Sequence, residues 1–433
     1  MSGALSFVPE EARLEVTVKL RRQLEYVTSC SAFYKRRFAE HGVQPEDATG
    51  LGDLARFPLT TKQMLRDSQA ASPPLGEHAA VPMSEVIRVH ASTGTTGTPS
   101  WVGVTAADAE GWTRLVAEAM RTQGLTRDDV VVHGAGLTLF VGGLPIRDAI
   151  ERVGATFVPI GTGASEKAVQ AMSSLGVTTL HSTPSYARYL AEYVRTRAGR
   201  DPRELGLQKI MVGGEPGGGE EAFRAQLEAE WGATVTEGLG NADMAPIIFA
   251  EAPGTPGMRL SAPHHVLVEL LEPDRGEPIE PEPGAIGELV YTALDRQCCP
   301  LVRFQTRDRV TVTGLDASDR PLIRCIGRTD DMLIVLGVNV FPSALRDVVQ
   351  SFAPRTTGVM QVVLPASGPR VEPPLRLEVE GGSAPGDPAE LTGQLEDAIR
   401  ARLSVSTNVS LVPPGSLERS EMKSTLARVA QVG

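Results

Sequence analysis

The chain of 433 residues lacks the features that mark several large protein classes. It has no stretch of about 18 apolar residues, so nothing in it reads as a membrane span. Its N-terminus, MSGALSFVPEEARLEV, has no basic start followed by a long apolar run. That excludes a secretory signal and sets the expectation of a cytoplasmic protein. Only four cysteines occur, Cys30, Cys298, Cys299 and Cys325. Their spacing fits neither a disulfide framework nor a CxxC zinc pair, so they read as reduced thiols. Positive charge is in deficit, with 42 Lys and Arg against 53 Asp and Glu, a net charge of -11. A nucleic-acid backbone needs clustered cations, and that partner class is set aside. A local loop can still hold a small anion.

What remains is an ordinary globular balance, 41% hydrophobic and 22% charged, in a chain too long for one core. Ala12 to Phe38 has helical spacing, and Pro73-Pro74 breaks the pattern. From Val86 the chain alternates short β-branched runs with helical stretches. Strand-like segments fall at Val86 to His90, Asp129 to Val132, Ala155 to Ile160, Val177 to Leu180, Lys209 to Val212 and Ala233 to Thr236. Helical segments fall at Pro145 to Val153, Ser165 to Leu175, Pro184 to Arg197 and Gly219 to Trp231. This alternation predicts parallel βαβ units. After about Ala250 the composition shifts to Pro, Gly and Glu with strands at Val266 to Leu271, Gly287 to Thr292 and Arg309 to Val312, a β-rich subdomain. The last hundred residues predict a small α+β domain, with helices at Pro342 to Phe352 and Asp387 to Leu403. The expected fold is α/β: a large N-terminal domain, residues 1–327, and a small mobile C-terminal domain, residues 328–433.

The strongest local signal is Ser92-Thr93-Gly94-Thr95-Thr96-Gly97-Thr98-Pro99, directly after a strand. Small residues let backbone N–H groups converge on an anion, and the hydroxyls add donors, which suits nucleotide phosphates. The bland alternative is a surface turn. No Gly-Lys-Ser/Thr follows, so this is not a Walker loop.

The segment VPMSEVIRVHASTGTTGTPSWVGVT resembles the phosphate loop of phenylacetate–coenzyme A ligases, a branch of the adenylate-forming ligases. The resemblance runs through RFPLTTKQMLRDS, LFVGGLPIRDAIERVGATFVPI, STPSYARYLAEY, VGGEP, LVRFQTRDRV, GRTDDMLIVLGVNVFPSAL and ERSEMK, in the family's order, over roughly residues 15–430. It implies ATP, Mg2+ and coenzyme A as reactants, with no zinc, and a homodimer by analogy. It further implies that Ser92, Thr93, Gly94, Thr95, Thr96 and Gly97 hold phosphate and that Gly214, Glu215, Pro216, Glu237 and Gly238 line the adenine side. Asp308 would accept hydrogen bonds from ribose, and Arg328 would reach ribose or the α-phosphate. Asp330 would be the hinge and Gly337 would open the thiol channel. Lys423 would be the catalytic cation between carboxylate and α-phosphate. Ala135, Leu137, Phe140, Gly142 and Gly143 would line the acid pocket.

Three departures stand out. Thr98 replaces the lysine that usually closes the family's phosphate loop, a charge worth about 1.5–3 kcal/mol if engaged. Glu237-Gly238-Leu239-Gly240-Asn241 replaces a motif with a stacking aromatic and a magnesium-holding glutamate, leaving Asn241 and the nearby Asp243, or the nucleotide itself, to carry the ion. The zinc-binding cysteine cluster of some members has no counterpart. The expected function is ATP-dependent activation of an aromatic or arylalkyl acid, then thioester formation with coenzyme A. The alternatives are transfer to a carrier-protein arm, an amine or another nucleophile, activation of an unconventional acid, or a nucleotide-binding protein that has lost catalysis.

Overall fold

The structure, a computed structural model, describes residues 7–92, 99–273, 275–336, 338–366, 368–419 and 426–430. The chain divides into two compact units, residues 1–161 with 236–324, and residues 162–235 with 325–433.

In the first unit the N-terminal stretch forms two helices, Arg13–Cys30 and Ala32–Glu40, rather than one. Ser31 causes the break: its backbone is extended and its hydroxyl accepts from Tyr34 N, starting the second helix. The first helix buries Val16, Leu20, Leu24 and Val27, one stripe at helical spacing, against Leu267, Leu294 and Val302. Helix Ala106–Thr122 opens on a capping box between Thr105 and Asp108 and buries Trp112, Leu115 and Val116. Strands Val130–His133 and Thr156–Pro159 are parallel, and helix Leu144–Val153 joins them in sequence. The β-rich part begins earlier than composition suggests, with Thr234–Asn241. Its strand order is Val266–Leu271, Ile286–Ala293, Phe304–Leu315, Pro321–Arg328, Met258–Leu260, Ala245–Glu251, Thr234–Asn241.

The second unit contains the parallel pair Thr179–Ser182 and Lys209–Gly213, with helix Pro184–Thr196 between them in sequence. Helices Ser165–Leu175 and Glu221–Trp231 flank that pair in the chain. Its C-terminal part is a four-stranded sheet, ordered Thr407–Val412, Leu375–Gly381, Thr356–Leu364, Ala427–Val429, with helices Pro342–Gln350 and Pro388–Leu403. Leu345, Val349, Val362, Leu377, Leu391, Leu395 and Ile399 share one core there. The expected α/β fold, with parallel βαβ units, a β-rich part and a C-terminal α+β part, is the fold observed.

Candidate active site

Strand Arg88–Ser92 pairs antiparallel with Ser100–Val104, and Ser92 sits opposite Ser100. These two serines form the neck of the expected phosphate loop. Thr93, Gly94, Thr95, Thr96, Gly97 and Thr98 lie outside the described residues, as do Gly337 and Lys423. Both sides of the neck reach one carboxylate. Lys62 Nζ donates to Ser92 Oγ at 2.6 Å and forms an ion pair with Asp243. Ser100 Oγ lies 3.4 Å from the other oxygen of Asp243. Asp243 is buried, and its backbone N–H donates to Asn241 Oδ1 at 2.9 Å. Arg296 donates to the carbonyls of Asp243 and Met244, at 3.0 and 2.6 Å, while its guanidinium lies 4.6 Å from the Trp112 ring centre. Asp243 is therefore part of an internal charge cluster.

The expected acid-pocket stretch is fastened to the same strand. Ala91 N donates to Leu139 O at 3.0 Å, and His90 Nδ1 lies 3.2 Å from the same oxygen. Burial lowers the His90 pKa, so its imidazole is neutral and Nδ1–H donates. Beyond it the chain folds back tightly. A Cβ on Gly143 would stand 2.4 Å from Gly136 O, and Gly143 N donates to Phe140 O at 3.2 Å. Only glycine fits that approach. Ala135 is buried, while Leu137, Phe140 and Gly142 are half-buried.

Asp308 belongs to strand Phe304–Leu315 and is buried, with its N–H donating to Thr306 Oγ1 at 2.9 Å. The head of that strand is held by the same N-terminal stretch that carries Lys62. Thr60 N donates to Arg303 O at 2.8 Å, and Gln305 N donates to Thr60 O at 2.9 Å. Glu237 is buried on strand Thr234–Asn241, and its N–H donates to Glu251 Oε2 at 3.1 Å. A Cβ on Gly238 would stand 3.2 Å from Ile247 Cγ2, so the strand face is closely covered there.

In the second unit, Gly214, Glu215 and Pro216 follow strand Lys209–Gly213, at the carboxyl end where α/β sheets bind ligands. Glu215 Oε1 accepts from Ser185 N at 2.9 Å. Pro216 O accepts from Arg346 Nη2 at 2.6 Å, and the same guanidinium pairs with both oxygens of Glu220. Gly217 has a φ of +146, and a Cβ there would lie 3.0 Å from Pro184 Cβ and 3.1 Å from Arg346 Nη2. Arg328 and Asp330, two residues apart, form a two-pronged ion pair at 2.9 and 3.0 Å.

The description "AMP-binding enzyme" matches residues 18–293, and "AMP-binding enzyme C-terminal domain" matches residues 337–430. The phenylacetate–coenzyme A ligase of Pseudomonas putida is 35% identical, over 94% of this chain and 91% of its own. The chain belongs to the phenylacetate–coenzyme A ligase family. The enzyme of the same name from Escherichia coli (strain K12) is 33% identical, over 96% of this chain and 94% of its own. Among solved structures, a 2-hydroxyisobutyryl-CoA ligase bound to its acyl-AMP in the postadenylation state matches with a TM-score of 0.88 and 28% identity. That match covers 98% of this chain and 91% of the other. Members of this family are AMP-forming ligases. The chain is accordingly an enzyme that activates a small-molecule acid with ATP and passes the acyl group to coenzyme A. Among the described residues no helix is long and apolar enough to cross a membrane.

Of the residues the resemblance nominates, Ser92, the acid stretch, Asp308 and the Gly214–Pro216 loop lie among the described residues. The resemblance did not nominate Lys62 or Arg346, which bond the loop neck and Pro216. Lys62 lies inside a segment quoted for the family and Arg346 directly follows one, but each acquires its partner only through folding, 181 residues away for Lys62 and 126 for Arg346.

Proposed function

We propose that this enzyme activates an aromatic or arylalkyl carboxylic acid bulkier than phenylacetate. The acid's carboxylate oxygen attacks the α-phosphorus of ATP and pyrophosphate leaves. The thiol of coenzyme A then attacks the acyl carbonyl and AMP leaves. The observation that carries this reading is the shared strand Arg88–Ser92: its end forms the phosphate-loop neck, and the preceding two residues grip Leu139 of the acid stretch. Acid and phosphate sites built on one rigid strand hold two reactants in register, which lowers the barrier by removing orientational freedom.

The remaining roles follow the family pattern. Ser92 to Gly97 donate to phosphate, Gly214 to Pro216 with Glu237 and Gly238 flank the base, and Asp308 accepts from ribose. Arg328 and Asp330 form the hinge of a mobile body, residues 328–433, and Gly337 borders the thiol channel. Lys423 neutralises charge that builds between carboxylate and α-phosphate. Ala135 and Leu137, small where the family's phenylacetate enzymes carry tyrosines, leave room that a larger ring fills. Magnesium enters with ATP. Asp243 offers it a poor berth, because its carboxylate already faces the Lys62 ammonium and the Ser100 hydroxyl. Of Asp243 and the nucleotide, this favours the nucleotide's own phosphates as ligands.

Acid-dependent pyrophosphate exchange over phenylacetate, substituted benzoates and bicyclic aryl acids tests the first half-reaction. Phenylacetate is expected to be a poor substrate, and finding it the best refutes the pocket assignment. Lys423→Ala should lower exchange at least about a hundredfold, or about 2.7 kcal/mol, while sparing thioester formation from supplied acyl-adenylate. Adding coenzyme A, or a carrier protein bearing a thiol arm, then distinguishes the acceptors.

A further inference from the structure

We infer that Lys62 is the phosphate-binding cation that the loop itself lacks, and that Asp243 is its positioning residue rather than a metal ligand. This rests on the adenylating function proposed above and names the group that holds the pyrophosphate end of ATP.

The loop from Ser92 to Pro99 contains no lysine or arginine. Backbone N–H groups and hydroxyls orient a triphosphate, but its charge calls for a cation nearby. Among the described residues, Lys62 is the cation that bonds the neck. Its ammonium has three N–H donors, and the described residues take two, Ser92 Oγ and Asp243. Its side chain keeps 25% of its surface exposed, whereas that of Asp243 keeps 5%. The carboxylate is thus the buried anchor and the ammonium the accessible end.

The backbone beneath Lys62 is equally fixed. Lys62 is the first residue of the ten-residue helix Lys62–Ala71, capped by Thr61. Thr60, fully buried, is bonded on both sides to the head of the strand that carries Asp308. Phosphate-side and ribose-side groups are therefore positioned by one joint. The helix start adds partial positive charge where Lys62 emerges.

The same geometry argues against a divalent ion at Asp243. An ammonium already faces its carboxylate, and Arg296 holds its backbone carbonyl. A dication there would meet two cations in a buried setting, and like charges at short range are costly.

The test measures calorimetric binding of ATP, pyrophosphate and AMP to the full chain. Lys62→Met should weaken ATP and pyrophosphate by about 10- to 100-fold, leaving AMP within about twofold. Lys62→Arg should retain part of the affinity. Thr98→Lys added to Lys62→Met should restore at least about tenfold. Asp243→Asn should weaken ATP in the same direction, with the magnesium concentration for half-maximal binding unchanged. Should Lys62→Met fail to fold, reductive methylation of the unmodified enzyme gives the same information: ATP and pyrophosphate should protect Lys62, and AMP should not. Equal losses for ATP and AMP, or equal protection by both, overturn the proposal. A shifted magnesium requirement in Asp243→Asn overturns the role given to Asp243. If the unmodified enzyme binds no ATP, the adenylating function itself fails, a result separate from any behaviour of Lys62.

Discussion

Two buried arginine–glutamate pairs, one in each unit, use the same chemistry to different ends. In the first unit, Arg303 meets Glu269 fork to fork, at 3.0 and 2.9 Å, and its remaining nitrogen donates to the carbonyls of Ala55 and Phe57. Only 6% and 3% of the two side chains is exposed. That pair ties the N-terminal segment to the β-rich strands, parts of one continuous body. In the second unit, Arg346 meets Glu220 at 3.0 to 3.3 Å, with 5% and 14% exposed. That pair ties helix Pro342–Gln350, in the segment expected to move, to the start of helix Glu221–Trp231. Burial pushes both glutamates up, and each arginine pulls its partner back toward the charged form. The first pair is saturated and permanent in kind. The second is looser and holds the Gly214–Pro216 loop, which is proposed to flank the base. A buried ion pair is a weak device for stability but a strong one for fixing a single arrangement.

Removing one partner breaks the comparison most visibly. Glu269→Ala strands a buried guanidinium and should cost about 3–5 kcal/mol, read from the urea midpoint of the first unit's transition. Glu220→Ala leaves Arg346 its bond to Pro216 O and a more open setting, so the loss should be nearer 1–3 kcal/mol. Its larger effect should be on ATP affinity, through the released Gly214–Pro216 loop. Equal stability losses in the two variants would show that the distinction is geometric only.

The smallest expected effect uses acid. Glu380 is fully buried, which pushes its pKa up, but Arg419 and the backbone N–H groups of Leu417 and Gly415 outweigh burial and leave it below its ordinary value of 4.5. A lowered folded value means stability that is present above about pH 4.5 and is lost as pH falls through the folded pKa. Denaturant midpoints measured from pH 6 to pH 3 should fall less steeply in Glu380→Gln than in the unmodified chain. A parallel fall in both would remove Glu380 from the account.

Local signals carried most of the fold. Helix Ser165–Leu175 and strand Val266–Leu271 match their expected bounds because Gly176, in a left-handed conformation, ends the first, and an unbroken apolar run defines the second. Strand Ser100–Val104 and helix Ala106–Thr122 escaped notice, since Trp101, Gly103 and the alanine-rich run after them blur both periods. The capping box of Thr105 and Asp108 was the signal available. In the site, contiguous motifs were legible, while Lys62 and Arg346 were not. Each is a charge whose partner lies far along the chain, and no spacing rule connects them.

Gly217 shows how little room for sequence drift such a joint leaves. Any side chain there faces both an unfavourable backbone conformation and a tight approach to Pro184 and to the guanidinium that holds Pro216. Glycines such as Gly50, Gly111 and Gly393 have open space and an ordinary backbone instead. A saturation library should accept many residues at those three positions and strongly favour glycine at 217, so that the packing of Pro184 and Arg346 alone filters what that loop position can become.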